Sequence, residues 1–107
     1  MQTITRDQVQ EKLRDDDFTV VEVLGSDQFD EFHLPGAINV PLGEDFDEEI
    51  QQTVPDKQAP VIVYCKNESC EASPKAAKRM EALGYTHVFD YEAGKQDWKE
   101  AGLPVEK

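Results

Sequence analysis

The sequence predicts one α/β domain over residues 1–107: a small, mainly parallel central sheet flanked by helices on both faces, an architecture three observations support. Short β-branched or aromatic runs alternate with amphipathic segments along the chain, as in βαβ units. One such run, Val61 to Tyr64, carries no charge, as expected of a strand buried on both faces of a parallel sheet. A length of 107 residues allows a single modest core.

Each element follows from local signals. Thr5 and Gln8 form a capping-box pair ahead of Val9 and Leu13, which predicts a short amphipathic helix. Asp15, Asp16 and Asp17 break it. Thr19 to Leu24 is the next apolar run, with Glu22 inside it. Gly25 and Ser26 turn the chain, and Asp27 to Phe32 has room for one or two helical turns. Pro35-Gly36 marks a turn, and Ala37 to Val40 a brief strand. Glu44 to Gln52 reads as an acidic helix anchored by Phe46 and Ile50, followed by a loop from Pro55 to Ala59. After the strand at Val61, Ser73 is a good N-cap and Pro74 suits the first helical position. Ala76, Ala77, Met80 and Leu83 share one helical face, and Gly84 suits the left-handed position beyond the helix end. His87 to Tyr91 is a strand. Gly94 is a turn, and Lys95 to Ala101 is a short helix anchored by Trp98. Gly102 and Pro104 end that helix.

Composition bounds the function. The formal net charge of −12 argues against nucleic acid and anionic membrane surfaces as partners. An anionic substrate would need local positive potential. No apolar run is long enough to span a membrane, and the first residues lack a signal-peptide core, so a cytoplasmic location is expected. Two cysteines do not make a disulfide framework.

The chemistry points to Cys65. It falls where the apolar strand should end, facing a loop that feeds a helix N-terminus. Unpaired backbone N–H groups gather there and favour a thiolate, a persulfide or a bound oxyanion. An inert core thiol is the bland alternative. The strand–loop–helix junction favours the reactive reading. The helix end should lower the Cys65 pKa, while Glu68 and Glu71 oppose it; with the glutamates in solvent, the helix end is expected to dominate.

Three blocks resemble the rhodanese-like family. FDEFHLPGAINVPL, Phe29 to Leu42, is similar to that family's turn-and-strand segment. VIVYC, Val61 to Cys65, matches the strand ending in its cysteine. Ser73 to Glu106 resembles its post-loop helix, glycine-turn strand and tryptophan helix. The resemblance implies a sulfurtransferase in which Cys65 takes a sulfane sulfur as a persulfide and passes it to a thiol or other nucleophile. The implied cradle is the backbone of Lys66, Asn67, Glu68, Ser69, Cys70, Glu71, Ala72 and Ser73. A small sulfane-sulfur donor and a thiol acceptor are the implied partners, with no cofactor and no metal.

The departures are informative. Ala72 stands where the family usually has an arginine, the loop is longer than the common pattern, and Lys66 is its only cation. A lone lysine does not reproduce the planar fork of an arginine, so thiosulfate is a doubtful donor. Glu22 replaces the usual aspartate, Leu24 an arginine, and Phe32 and Ala93 each a glycine. The longer loop brings dual-specificity phosphatases of the same fold into view, but their chemistry needs the missing arginine. Cys70 is distinctive: it reads either as a resolving thiol for Cys65 or as a small loop-packing residue. A zinc site from Cys65, Cys70, His33 and His87 fits no common spacing. His33 is read as a residue fixing the turn, His87 as structural and Trp98 as a core anchor. The acidic run Glu44 to Glu49 reads as a solvated face that could also dock a basic partner. The alternative to an enzyme is therefore a non-catalytic, partner-binding rhodanese-like module.

Overall fold

The computed structural model describes residues 2–107. The strands are β1 (Gln2–Thr3), β2 (Thr19–Glu22), β3 (Ile38–Asn39), β4 (Val61–Tyr64) and β5 (Val88–Tyr91). The helices are α1 (Arg6–Lys12), α2 (Ser26–Glu31), α3 (Phe46–Thr53), α4 (Ala72–Ala82) and α5 (Gly94–Glu100). The strands form one sheet in the order β1-β5-β4-β2-β3, and every pairing is parallel. The expected sheet is thus present, with β1 added to its edge.

Alternation along the strands divides the core between the two faces. Val21, Val61 and Val63 pack against Phe46, Ile50, Ala76 and Met80 of α3 and α4. Val20, Ile62, Tyr64 and Tyr91 pack on the other face against Val9 of α1 and Trp98 of α5. Trp98 is a core anchor, 1% exposed, with its indole N–H donated to the Pro104 carbonyl at 2.8 Å. The capping box at Thr5 and Gln8 is formed on both sides.

Several boundaries differ from expectation. β2 stops at Glu22 and β3 spans only Ile38–Asn39. β5 starts at Val88, α3 at Phe46 and α5 at Gly94. The main correction concerns α4. Its N-cap is Glu71, which makes no side-chain cap bond, and the helix starts at Ala72. Ser73 is therefore inside the first turn and buried, and Pro74 is the third helical residue. The Ser73 hydroxyl faces the end of β4 instead of capping its own helix.

Candidate functional site

Cys65 follows β4 directly and is 1% exposed. Its parity with Val61 and Val63 turns it towards α4. Its Sγ lies 3.5 Å from the Cys70 carbonyl oxygen and 3.5 Å from Ser73 Oγ. The backbone N–H of Ser73 also favours the Cys65 thiolate. Cys70 is half-buried, and the backbone N–H groups of Ala72 and Lys66 favour its thiolate. Both thiols are free, and each shifts the other's acidity, upward for Cys65 and downward for Cys70. The loop thus folds back and brings both sulfurs into one cradle.

That cradle is held from below by α5. The Lys95 N–H donates to the Cys65 carbonyl at 3.0 Å, and the Gln96 N–H to the Lys66 carbonyl at 2.9 Å. Gly94 makes this approach possible. Its φ is +77°, and a Cβ there would lie 2.5 Å from the Lys66 carbonyl carbon. Within the loop, the Asn67 side chain accepts the Ser69 N–H at 3.0 Å and donates to Gln96 Oε1 at 3.2 Å.

The other predicted loop residues are less central. Lys66 and Ala72 contribute their backbones; the Ala72 side chain packs against the core. Ser69 is exposed, and Glu71 is exposed beside Lys75 at 3.7 Å. His33 fixes its turn as expected: its ring Nδ1 is 2.9 Å from the Phe29 carbonyl, and its backbone pairs with Glu106. The His87 ring lies 2.9 Å from Thr86 Oγ1, and its carbonyl accepts the Val61 N–H at 3.0 Å. Neither joins the cysteines, and no metal-type cluster of three or more such residues occurs among the described residues.

The expected acidity of Cys65 is corrected. Burial pushes its thiol up to about 11 and the adjoining Cys70 thiol adds to this, while the Ser73 hydroxyl and N–H only partly offset it. Desolvation outweighs the helix end because the sulfur is almost wholly enclosed. Cys70 behaves oppositely. Burial raises it too, but the bonds from Cys65, Ala72 and Lys66 outweigh burial and hold it below the ordinary thiol value. The more acidic sulfur is therefore the more accessible one.

Three charged residues near the cradle have no site role in the sequence reading. Glu22 and Lys95 form a buried ion pair, Oε2 to Nζ 3.0 Å, with exposures of 0% and 3%. Glu22 also accepts the Tyr64 hydroxyl at 2.9 Å, and Lys95 donates to the carbonyls of Gln28 at 2.5 Å and Phe32 at 2.8 Å. Asp90 is wholly buried, and neither carboxylate oxygen has a hydrogen-bond partner among the described residues. Burial raises its pKa; the nearby Ser73 hydroxyl, too loosely placed to bond it in this geometry, opposes that and Glu92 adds to it. An acid within each apolar strand run was the available signal, since a buried carboxylate needs a partner.

Two of the cavities flanking the loop differ in charge. One of about 330 Å³ is lined by Glu68, Cys70, Ser73, Pro74, Asp90 and Glu92. The other, about 470 Å³, includes Phe32, Lys66, Lys95 and Lys99. The loop's single cation therefore borders the second cavity, not the one that Cys70 lines.

No helix among the described residues is long and apolar enough to cross a membrane. Residues 5–101 match the family model of the rhodanese-like domain. The chain is 29% identical over 104 residues to the HTH-type transcriptional regulator Rv0324 of Mycobacterium tuberculosis, covering 97% of this chain and 44% of that protein. It is 40% identical over 68 residues to the thiosulfate sulfurtransferase PspE of Escherichia coli, covering 64% of this chain and 62% of that protein. It thus spans less than two thirds of either relative. The crystal structure of the BH2092 protein from Bacillus halodurans superposes with a TM-score of 0.88 at 24% identity, covering 98% of this chain and 76% of that one, a likeness of fold. With the match running through the cysteine strand, the loop and the tryptophan helix, the chain belongs to the rhodanese-like domain family.

Proposed function

We propose that this chain is a sulfurtransferase that carries a sulfane sulfur as a persulfide on Cys65 and hands it to a thiol, with Cys70 as a resolving thiol. The observation that carries this reading is the shared cradle. Cys65 ends β4 within reach of the Ser73 hydroxyl and N–H, and Cys70 lies beside it. A protonated, buried Cys65 needs a proton acceptor before it can attack. Cys70, the more acidic thiol, whose carbonyl the Cys65 sulfur already touches, is placed to serve as one. The Cys65 proton passes to Cys70 as Cys65 attacks the donor's outer sulfur; the donor's sulfur–sulfur bond breaks and the donor leaves as an anion. In the second step an acceptor thiolate attacks the outer sulfur and Cys65 leaves. If Cys70 attacks the inner sulfur instead, passing its proton to the departing outer sulfur, hydrosulfide leaves and a Cys65–Cys70 disulfide closes. Similarity to a sulfurtransferase over part of the chain supports this chemistry.

A second reading is a non-catalytic module that docks a basic partner through its acidic surface, favoured by the enclosure of Cys65 and the missing loop arginine. Intact mass after incubation with inorganic polysulfide separates the two. The enzyme gains one sulfur atom, removable by dithiothreitol and lost in Cys65→Ser. No gain in the wild-type protein, or full loading of Cys65→Ser, overturns the proposal.

A further inference from the structure

We infer that the cavity beside Cys70 selects a positively charged thiol, an aminothiol, as the sulfur acceptor, with Asp90 setting that preference. This rests on the sulfur-carrier reading above and adds the acceptor's class. The cavity, about 330 Å³, has room for a small thiol and holds no cationic side chain in its lining. Three of its lining residues, Glu68, Asp90 and Glu92, are carboxylates. Asp90 is the decisive one. It is wholly buried, both its oxygens lack a partner among the described residues, and it forms part of the cavity wall. A buried carboxylate without a counter-charge is costly, and an ammonium placed in the cavity would supply one. Because Asp90 is wholly buried, a charge in the cavity feels it through surroundings less polar than water. Lys66 borders the other cavity and does not neutralise this one.

The geometry joins recognition to transfer. Cys70 and Ser73 line the same cavity, and both adjoin Cys65. An acceptor with its ammonium towards Asp90 brings its sulfur to the cysteines. Its thiolate then forms a bond to the outer persulfide sulfur, the sulfur–sulfur bond to Cys65 breaks, and Cys65 leaves as a thiolate. The acceptor departs as its own persulfide, with no net oxidation.

The test uses persulfide-loaded protein and thiols of similar size: cysteamine, mercaptoethanol and mercaptopropionate, carrying a positive, neutral and negative group. The readout is the kcat/KM ratio of cysteamine to mercaptopropionate, compared between wild type and Asp90→Asn, so that the acidities of the thiols cancel. We expect this ratio to fall on the order of tenfold in Asp90→Asn, as one charge contact in a partly buried site predicts. Added salt should lower it in the wild type. If Asp90→Asn does not fold, the Glu68→Gln/Glu92→Gln double variant, changed at two exposed positions, reads the same ratio and should lower it. A ratio unmoved by both salt and substitution overturns the inference. Failure to load sulfur on Cys65 would instead overturn the sulfur-carrier reading, so the two failures are distinct.

Discussion

Replacing Lys95 with methionine keeps most of the side chain's aliphatic length and removes its charge. The ammonium has three acceptors: Glu22 Oε2 and the carbonyls of Gln28 and Phe32. Gln28 is exposed, so its carbonyl finds water once Lys95 is gone. Glu22 does not; it is 0% exposed and would keep only the Tyr64 hydroxyl. Breaking a buried pair by removing one partner costs about 3–5 kcal/mol. That is a large share of the roughly 5–15 kcal/mol that holds a domain folded. Urea denaturation with a two-state fit measures it. The pH dependence gives a second check. Burial already raises the Glu22 pKa above the ordinary carboxylate range, with the Lys95 and Tyr64 bonds opposing. Without Lys95 it rises further, so the folded state holds a proton that the unfolded state has released. Stability then falls as pH climbs from the unfolded value through the raised one, and the gap to wild type should widen as pH rises above the ordinary glutamate range. Glu22→Gln combined with Lys95→Met should recover part of the loss, because the unpaired charge goes with its partner. A single-variant loss below about 1 kcal/mol with no pH dependence would refute the claim that this pair braces the domain.

Gly94→Ala should destabilise the protein by more than the roughly 1 kcal/mol of a left-handed backbone alone, because its Cβ would meet the Lys66 backbone at 2.5 Å; thermal unfolding measures this. After stoichiometric peroxide, non-reducing peptide mapping should find a Cys65–Cys70 disulfide that stops sulfur transfer until reductant is added. Equal over-oxidation of Cys65 in wild type and Cys70→Ala would leave Cys70 as loop packing. Thiosulfate should be a poorer donor than polysulfide, by about tenfold or more in kcat/KM if one unfavourable charge contact is met in the site, since Cys70 lines a cavity with three carboxylates. Equal use of the two donors in a cyanide-coupled assay would count against that electrostatic picture.

The parts of the fold that were legible in the sequence are those where one residue type decides the outcome. The uncharged run of β4, the capping box of α1 and the left-handed Gly84 beyond α4 (φ +101°) needed no tertiary knowledge. Cys65 could be placed for the same reason, since the strand before it is unambiguous. Ser73 could not. Serine is a good N-cap, but here the helix gains an extra residue because the loop turns back to bring Cys70 beside Cys65, and the hydroxyl is drawn to the sulfur instead. The Cys65 pKa was misjudged because sequence shows a helix end but not the enclosure of the sulfur. Lys95 opens the expected short helix, and nothing in its local sequence marks it as interior. Only the packing of α5 against Glu22 and Phe32 makes it an interior cation. Asp90 is the converse case, an acid whose strand pattern demanded a partner that no nearby residue in sequence supplies.

The outermost strands, β1 and β3, are each two residues long. A sheet edge recruits foreign chains only when it offers a sustained row of free donors and acceptors. Neither margin offers more than a fragment of one. Copies held close together, by tethering to other domains or at high concentration, therefore have no template for extending one sheet into the next. The charge of −12 adds mutual repulsion. The domain is thus built to be appended and crowded without polymerising through its sheet.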